Sequence, residues 1–332
     1  MRARDVEPQL RGSCCLHGVV IESPLALGTP AQSHGTSALE LGIGPSAPVP
    51  VEAPPGELLV DFSVGAEHVY TAADGGSEIV LRIHGLCDFA FDNDLRRVEC
   101  RPESSADPGR LALVARGAML AFYLGLKGHC VLHASAVEVG SPAVAFVGTT
   151  GMGKSTLAAW ACSRGARLVT DDLLRIGPGS PPWWVGRSHE IRLRPRAADV
   201  VEAVLEGWGG ARTSADGRLT VLPPGSRSET GALCAVVIPR PTREISTLEL
   251  RQLDPVEATL LLSAFPRLEG WRSAKVIESQ LDGLSRLTGS VPVFVASVPW
   301  GPPFDDTVVE ALLGAVTANG SRSLENTKVL SS

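Results

Sequence analysis

The fold of this chain is decided by the stretch Val144-Ala-Phe-Val-Gly-Thr-Thr-Gly-Met-Gly-Lys-Ser-Thr156. It contains the pattern G-x-x-x-x-G-K-[ST], in which a glycine-rich loop joins a strand to a helix and its backbone N–H groups surround phosphate. The apolar run 143–147 predicts the strand, and the residues from Leu157 onward predict a helix that Gly165 ends. The sequence therefore predicts a triphosphate-binding loop between these two elements.

The residues of this loop are predicted to bind both the nucleotide and the metal ion. The predicted nucleotide-binding set is Gly148, Thr149, Thr150, Gly151, Met152, Gly153, Lys154, Ser155 and Thr156. The lysine of this pattern reaches the β- and γ-phosphates, and the serine hydroxyl after it binds magnesium. ATP and Mg²⁺ are therefore the predicted cofactors.

Composition limits the class of protein. The chain has 332 residues, of which 44% are apolar, enough for two modest domains. Its formal net charge of −6, with scattered basic residues, argues against nucleic acid or an acidic membrane as the main partner. Seven cysteines without C-x-x-C spacing predict neither a zinc site nor a disulfide framework, and reduced thiols fit a cytoplasmic protein. The apolar stretch 111–126 carries Arg116 and is short for a membrane span, so it is predicted to be a buried helix.

Four segments differ in their pattern. Residues 1–55 are rich in Pro, Gly, Ser and Ala, which predicts a mostly flexible leader that could contain a short strand near residues 19–21. Residues 56–107 show short alternating apolar runs separated by turn residues, which predicts a small antiparallel β region. Residues 108–318 alternate strands with helices, as in an α/β domain. The polar residues 319–332 are predicted to be a disordered tail.

Two adjacent acids follow the loop at an informative distance. Asp171 and Asp172 lie 17 and 18 residues after Lys154, the length of one helix and a returning strand. Phosphoryl transfer needs a triphosphate site, a metal held by a further acidic group, and a group that orients or deprotonates the attacking oxygen. An acidic pair after a strand is also a common helix cap. Because of the spacing, we expect both carboxylates to lie beside the magnesium ion.

The runs "LHASAV", "GTTGMGKSTLAA" and "RGARLVTDD" resemble the catalytic domain of HPr kinase/phosphorylase and the wider family of HPr-kinase-like proteins. That fold is also similar to the nucleotide domain of phosphoenolpyruvate carboxykinase. The likeness covers about residues 110–318 and implies an α/β fold, with a mixed β-sheet core and flanking helices. It implies that His133 is an active-site histidine near the transferred phosphate and that Lys154 contributes to catalysis. It also implies that Asp171 and Asp172 divide metal binding and general-base duty.

Two further segments compare with this family less closely. Glu190-Ile-Arg192 resembles the start of an E-I-R-G signature, with Leu193 in place of the glycine, and implies Glu190 as a metal partner and Arg192 as a phosphate contact. Where the family has a basic P-G-R-N segment, this chain has Pro224-Gly-Ser-Arg227. The likeness therefore points to kinase-only relatives, some of which resemble enzymes that phosphorylate a serine of a ribosomal peptide precursor. The likeness implies an acceptor that carries a hydroxyl group, for example a ribosomal peptide precursor or a carrier protein. It is also compatible with a homo-oligomer.

The leading hypothesis is thus an ATP- and Mg²⁺-dependent kinase that transfers the γ-phosphoryl group to a hydroxyl. A non-catalytic ATP-binding regulatory or scaffold protein of the same fold is the alternative, and it would release no ADP in response to an acceptor. Chemistry like that of phosphoenolpyruvate carboxykinase is disfavoured because the chain is short for that enzyme's substrate domain. A GTPase is disfavoured because the sequence contains no N-K-x-D run.

Overall fold

The computed structural model describes residues 12–28, 37–177, 183–186, 190–195, 208, 211–224, 230–300 and 307–329. The chain divides into two compact units, Met1–Met119 and Leu120–Ser332. The boundary falls inside a continuous helical stretch, twelve residues later than the predicted boundary between 107 and 108.

The first unit contains an eight-stranded mixed sheet with the order β1-β2-β3-β8-β7-β6-β5-β4. Strands β4 to β8 form an antiparallel meander, whereas β3 pairs in parallel with both β2 and β8. The strands are β1 Gly12–Leu16, β2 Val19–Ser23, β3 Ser37–Ile43, β4 Glu57–Val64, β5 Glu67–Asp74, β6 Ile79–Ile83, β7 Cys87–Phe91 and β8 Arg97–Pro102.

The prediction of a mostly flexible leader over residues 1–55 is wrong for the described part of that segment, which supplies strands β1 to β3, although the short strand predicted near residues 19–21 is present as β2. Val19 and Ile21 are fully buried, and Leu39 and Leu41 are 1% exposed. Full burial of an aliphatic side chain contributes about 1.5–3 kcal/mol to stability. The side chains of β2 and β3 are buried because β3 pairs with β8 and β2 pairs with β3. The region 56–107 is therefore part of a larger mixed sheet and not a separate antiparallel unit.

The helical stretch at the unit boundary consists of α1 Pro108–Val114, a π-helical turn Ala115–Met119 and α2 Leu120–Leu126. Asp107 caps α1, since its side chain accepts a hydrogen bond from the backbone N–H of Arg110 at 2.8 Å. By length and composition this is the one described helix that could cross a membrane, with 19 residues and a mean hydropathy of 1.3. Its apolar window is 56% buried within the protein, and core helices of soluble proteins have the same length and composition.

The second unit has a larger mixed sheet with the order β12-β10-β11-β18-β14-β13-β9, to which β20 and β19 add beside β18. A small sheet, β15-β17-β16, lies apart from it in the hydrogen-bonding pattern. The strands are β9 Cys130–Leu132, β10 Ala134–Glu138, β11 Ala143–Val147, β12 Arg167–Asp171, β13 Leu174–Ile176, β14 Trp183–Val185, β15 Ile191–Leu193, β16 Arg212–Thr213, β17 Leu219–Val221, β18 Thr230–Thr242, β19 Glu249–Gln252 and β20 Val293–Pro299. The helices are α3 Lys154–Ser163, α4 Pro255–Leu262, α5 Ala274–Thr288 and α6 Thr307–Val329.

Strand β11 lies between two apolar clusters and so fixes where the glycine-rich loop begins. Val144 and Phe146 belong to the cluster that contains residues of α3 and α6, while Ala145 and Val147 belong to the cluster that contains residues of α4 and α5. β11 pairs in parallel with β18, which pairs in parallel with β20. The predicted α/β class with a mixed sheet is therefore confirmed. The tail is not disordered from residue 319 as predicted, because α6 continues to Val329.

Candidate functional site

The loop of residues 148–153 connects β11 directly to α3. Gly151 and Gly153 have φ angles of 96° and 81°, in the left-handed region that disfavours every residue with a Cβ. A Cβ on Gly153 would lie 2.9 Å from the ring of Trp300, and one on Gly148 would lie 2.7 Å from the sulfur of Met152. The apex from Thr149 to Gly151 is exposed. The backbone thus turns tightly and presents its outer surface at the N-terminus of a helix, where N–H groups favour an anion.

Lys154, the first residue of α3, is buried with 6% exposure. Its Nζ donates a hydrogen bond to the carbonyl oxygen of Thr149 at 2.9 Å, so the ammonium group lies against its own loop. Burial lowers the pKa of Lys154 to about 8, although the carboxylates of Asp171 and Asp172 act to raise it. The lysine therefore remains mainly protonated at neutral pH. Thr156, in the same turn, is buried, and Ser155 is partly exposed.

Asp171 ends strand β12 and gathers donors from three elements. Its Oδ1 accepts hydrogen bonds from the hydroxyls of Ser135 at 2.5 Å and Ser155 at 2.7 Å. Its Oδ2 accepts from the backbone N–H of Arg192 at 2.8 Å. Ser135 lies opposite Asp171 in the pairing of β10 with β12, so the sheet register sets this contact. Burial raises the pKa of Asp171 while these donors lower it, with the net direction upward.

Asp172 faces a different set of partners. Its φ of 106° is in the left-handed region, a strained conformation for a residue with a side chain. Its Oδ2 accepts a hydrogen bond from Nη2 of Arg267 at 2.7 Å, and its Oδ1 lies 3.6 Å from Nε2 of His133. Burial alone would raise the pKa of Asp172, but the charges of Arg267 and His133 outweigh it and lower the pKa to about 2. This carboxylate is therefore ionised throughout the physiological range.

His133 lies in the short break between β9 and β10. Its backbone N–H donates to the carbonyl of Phe265 at 3.0 Å, and its carbonyl accepts from the N–H of Gly148 at 3.4 Å. Burial lowers its pKa to about 3, with Lys154 and Arg267 adding to that shift. The imidazole is consequently neutral at pH 7 and can donate one hydrogen bond and accept another.

Arg267 and Ser135 belong to this cluster but are not among the predicted site residues. Arg267 follows Asp172 by 95 residues and reaches it because residues 265–267 pair with β9, through the bridge between Leu132 and Pro266. No motif surrounds Arg267; the signal available in the sequence was that two adjacent buried acids need a cation nearby. Ser135 lies inside the quoted run "LHASAV", where a polar residue within an apolar strand was the available signal.

Glu190 and Arg192 each have an ion-pair partner that the sequence did not predict. Oε2 of the buried Glu190 forms an ion pair with Nη2 of Arg212 at 2.6 Å. The guanidinium of Arg192 forms an ion pair with Asp216, so it is the backbone of Arg192 that contacts Asp171. Among the residues that the structure describes, no three His, Cys, Asp or Glu side chains are grouped to hold a metal ion. The metal role of Glu190 and the phosphate contact of Arg192 therefore stay predictions.

The chemistry of the remaining groups fits a magnesium-bound triphosphate. Hydroxyl and carboxylate oxygens, as in Ser155 and Asp171, are the hard ligands that magnesium prefers. The exposed loop apex, the left-handed glycines and the cationic Lys154 at a helix N-terminus suit phosphate oxygens. The predicted residues of the P-G-R-N-like segment from 225 to 227 lie outside the described residues.

Comparison with known proteins adds little to this geometry. No known family and no curated protein matches the chain. Among solved structures, the HPr(Ser) kinase/phosphatase from Coxiella burnetii is similar over 60% of this chain and 94% of its own, with 14% sequence identity and a TM-score of 0.31. A TM-score this low does not establish a common fold. The case for a function therefore depends on the side chains described above.

Proposed function

We propose that the chain is an HPr-kinase-like phosphotransferase, which moves the γ-phosphoryl group of ATP to an acceptor hydroxyl with the help of Mg²⁺. The observation that carries this proposal is the 2.7 Å hydrogen bond between Oγ of Ser155 and Oδ1 of Asp171. It joins the serine of the glycine-rich loop to an acid at the end of a neighbouring strand. In enzymes with such loops, this pair of side chains holds the metal ion.

The nucleotide side of the site consists of the loop, Lys154, Ser155 and Asp171. The loop N–H groups and the Lys154 ammonium would offset negative charge on the transferring group, an effect that is strong because Lys154 is buried. Ser155 and Asp171 would hold magnesium, which when bound offsets charge on the phosphate oxygens. Ser135 would keep the Asp171 carboxylate in place through its 2.5 Å hydrogen bond.

The acceptor side of the site consists of Asp172 and His133. Arg267 keeps Asp172 ionised, so this carboxylate can accept a hydrogen bond from the acceptor hydroxyl. A carboxylate with a pKa of about 2 is a weak base. Its part is therefore to orient the hydroxyl, which suits a loose transition state in which the proton leaves late. The neutral His133 beside Asp172 supplies a second polar contact.

The proposed acceptor is a serine hydroxyl in a peptide, protein or small molecule. A ribosomal peptide precursor and a carrier protein both present such a group, and the net charge of −6 does not favour nucleic acid. The proposed compartment is the cytoplasm, which is supported by seven buried cysteines that form no disulfide.

The decisive experiment measures ADP formation and phosphoryl transfer in the presence of ATP, Mg²⁺, and synthetic serine peptides or free serine. Lys154→Ala should lower the acceptor-dependent rate by roughly a hundredfold or more, because a preorganised charge in the transition state is lost. Lys127→Ala removes an exposed lysine from the end of α2 and serves as the matched control. If Lys154→Ala retains the wild-type rate, the assignment is wrong. If the wild type binds ATP but phosphorylates no acceptor, the chain is a non-catalytic nucleotide-binding protein.

A further inference from the structure

An apolar pocket of about 240 Å³ lies between α4, α5 and the segment that joins them. Its lining includes Leu132, Leu262, Pro266, Trp271, Ile277 and Leu281. Leu132 and Leu262 are almost fully buried at its base, while Ile277 and Leu281 are 39% and 40% exposed at its rim. The pocket thus opens from a fixed apolar floor toward solvent.

The polar side chains of Gln280 and Ser263 in the pocket lining form hydrogen bonds with backbone groups. Gln280 accepts from the N–H of Val131 at 3.1 Å and donates to the carbonyl of His129 at 3.0 Å. The hydroxyl of Ser263 donates to the carbonyl of Leu260 at 2.7 Å. A ligand in this pocket therefore meets mainly apolar surface and gains most by burying apolar groups.

The aromatic wall of the pocket is held rigidly. Trp271 stacks on Phe122, with ring centroids 5.3 Å apart and an interplanar angle of 7°. A Cβ on Gly125 would lie 2.7 Å from the Trp271 ring, so α2 approaches the indole closely at that glycine. The pocket is consequently preformed, and an occupant pays little to organise it.

Both helices also carry exposed apolar side chains, of which only those on α5 line the pocket. Ile277 and Leu281 are four residues apart on α5, and Val256 and Leu260, 69% and 66% exposed, are four residues apart on α4. Residues four apart share a helix face. Two helices that pack on each other therefore each present an exposed apolar pair.

The pocket and the proposed acceptor side share one pair of chain segments. The bridge between Leu132 and Pro266 forms part of the pocket wall, and the next residues, His133 and Arg267, contact Asp172. Because neighbouring residues on a strand project to opposite sides, the pocket and Asp172 lie on opposite sides of the two paired segments, residues 131–133 and 265–267. A bound peptide in an extended conformation rises about 3.3 Å per residue. It therefore needs at least about three residues to pass from one side of these paired segments to the other, a layer roughly 10 Å thick.

We propose that this pocket binds one apolar side chain of a polypeptide acceptor, at least three residues away from the hydroxyl that is phosphorylated. The volume suits a single leucine- or phenylalanine-sized group and is smaller than the roughly 300–1,000 Å³ of small-molecule sites. A rigid apolar pocket with an aromatic wall is the usual place for a dominant anchor residue of a protein partner. This inference rests on the proposed kinase function, because the acceptor hydroxyl must reach Asp172.

The test uses synthetic 15-residue peptides with one central serine in an alanine and lysine background, in which a single leucine is placed at each position in turn. Peptides with leucine three or more residues from the serine should show a KM about tenfold lower than the leucine-free peptide, with kcat unchanged. Leu281→Lys, at the pocket rim, should abolish this preference without changing the rate on the leucine-free peptide. Leu260→Lys is the matched control, because it places the same charge on an exposed leucine that does not line the pocket.

Direct binding of the same peptides, measured by calorimetry with ATP analogue present, separates this inference from the kinase assignment. If a leucine peptide binds the wild type and Leu260→Lys but not Leu281→Lys, the pocket is confirmed as a peptide site even when no phosphate is transferred. If no position of leucine changes KM or affinity, or if Leu281→Lys keeps the preference, the inference is wrong although the kinase function stands. Equal turnover of free serine and of the best peptide would also overturn it.

Discussion

Replacement of Arg267 by methionine should destabilise the second unit through Asp172. Arg267 donates a 2.7 Å hydrogen bond to a carboxylate that is only 28% exposed, and its own side chain is 19% exposed. Burial alone would raise the pKa of Asp172, yet the pKa is about 2, below the ordinary value of 3.8. That difference corresponds to about 2 kcal/mol of preference for the ionised form in the folded protein.

The pH dependence follows from the sign of this shift. Because the folded pKa lies below the unfolded one, the stabilisation is complete above about pH 4 and is lost as the pH falls toward 2. We therefore expect Arg267→Met to lower the free energy of unfolding by about 2–3 kcal/mol at pH 7, and to differ from the wild type by roughly half as much at pH 3.

All six tryptophans lie after residue 119, so denaturation followed by tryptophan emission reports the second unit alone. Arg251→Met is the matched control, since Arg251 forms a surface ion pair with Glu257 and its loss should change little. Equal stability of Arg267→Met and wild type at pH 7, or a difference that does not shrink between pH 5 and pH 3, would refute the reasoning.

Three other predictions follow from the same structure. Lys154→Met should raise the pKa of His133 above about 3, because the lysine is the largest charge acting on it, and an unchanged imidazole titration by NMR would contradict this. Gly153→Ala should lower the free energy of unfolding more than Gly140→Ala. At Gly140 only the left-handed φ of 69° costs about 1–2 kcal/mol, whereas a Cβ on Gly153 would also contact Trp300. A denaturant titration that ranks the two variants the other way would contradict the loop geometry. Deletion of residues 1–44 should speed amide hydrogen exchange in β8 at least tenfold relative to β5, since β3 is lost as the pairing partner of β8, whereas a flexible leader would leave β8 unchanged.

The sequence predicts the parts of this structure whose causes are local. The strand 143–147 and the helix after Lys154 are found where apolar pattern and glycines place them, because both signals lie within a few residues of the element they specify. The spacing of Asp171 from Ser155 also reflects a local unit, one helix and the strand that returns beside it.

The missed features depend on partners far away along the chain. Strand β3 is stabilised by pairing with β8, more than fifty residues later. The prolines and glycines around β3 give the segment a composition typical of flexible chain, so composition alone does not predict that pairing. Arg267 reaches Asp172 only because residues 265–267 add to the edge of β9. The ion pair of Glu190 with Arg212 was also not predicted, because it depends on the small sheet β15-β17-β16, which the short motif around Glu190 does not encode.

The central claim is that Ser155 and Asp171 together hold a magnesium ion against a triphosphate. Its most direct test is the affinity for ATP with and without Mg²⁺, measured by calorimetry for the wild type and for Ser155→Ala. Ser163→Ala, at the other end of α3, is the control, because its hydroxyl donates to the carbonyl of Trp160 and accepts from Arg164, both at that end of the helix. We predict that Mg²⁺ tightens ATP binding at least tenfold in the wild type and in Ser163→Ala, but by less than about twofold in Ser155→Ala. An affinity that does not depend on Mg²⁺ in the wild type, or an equal dependence in Ser155→Ala, would contradict the claim.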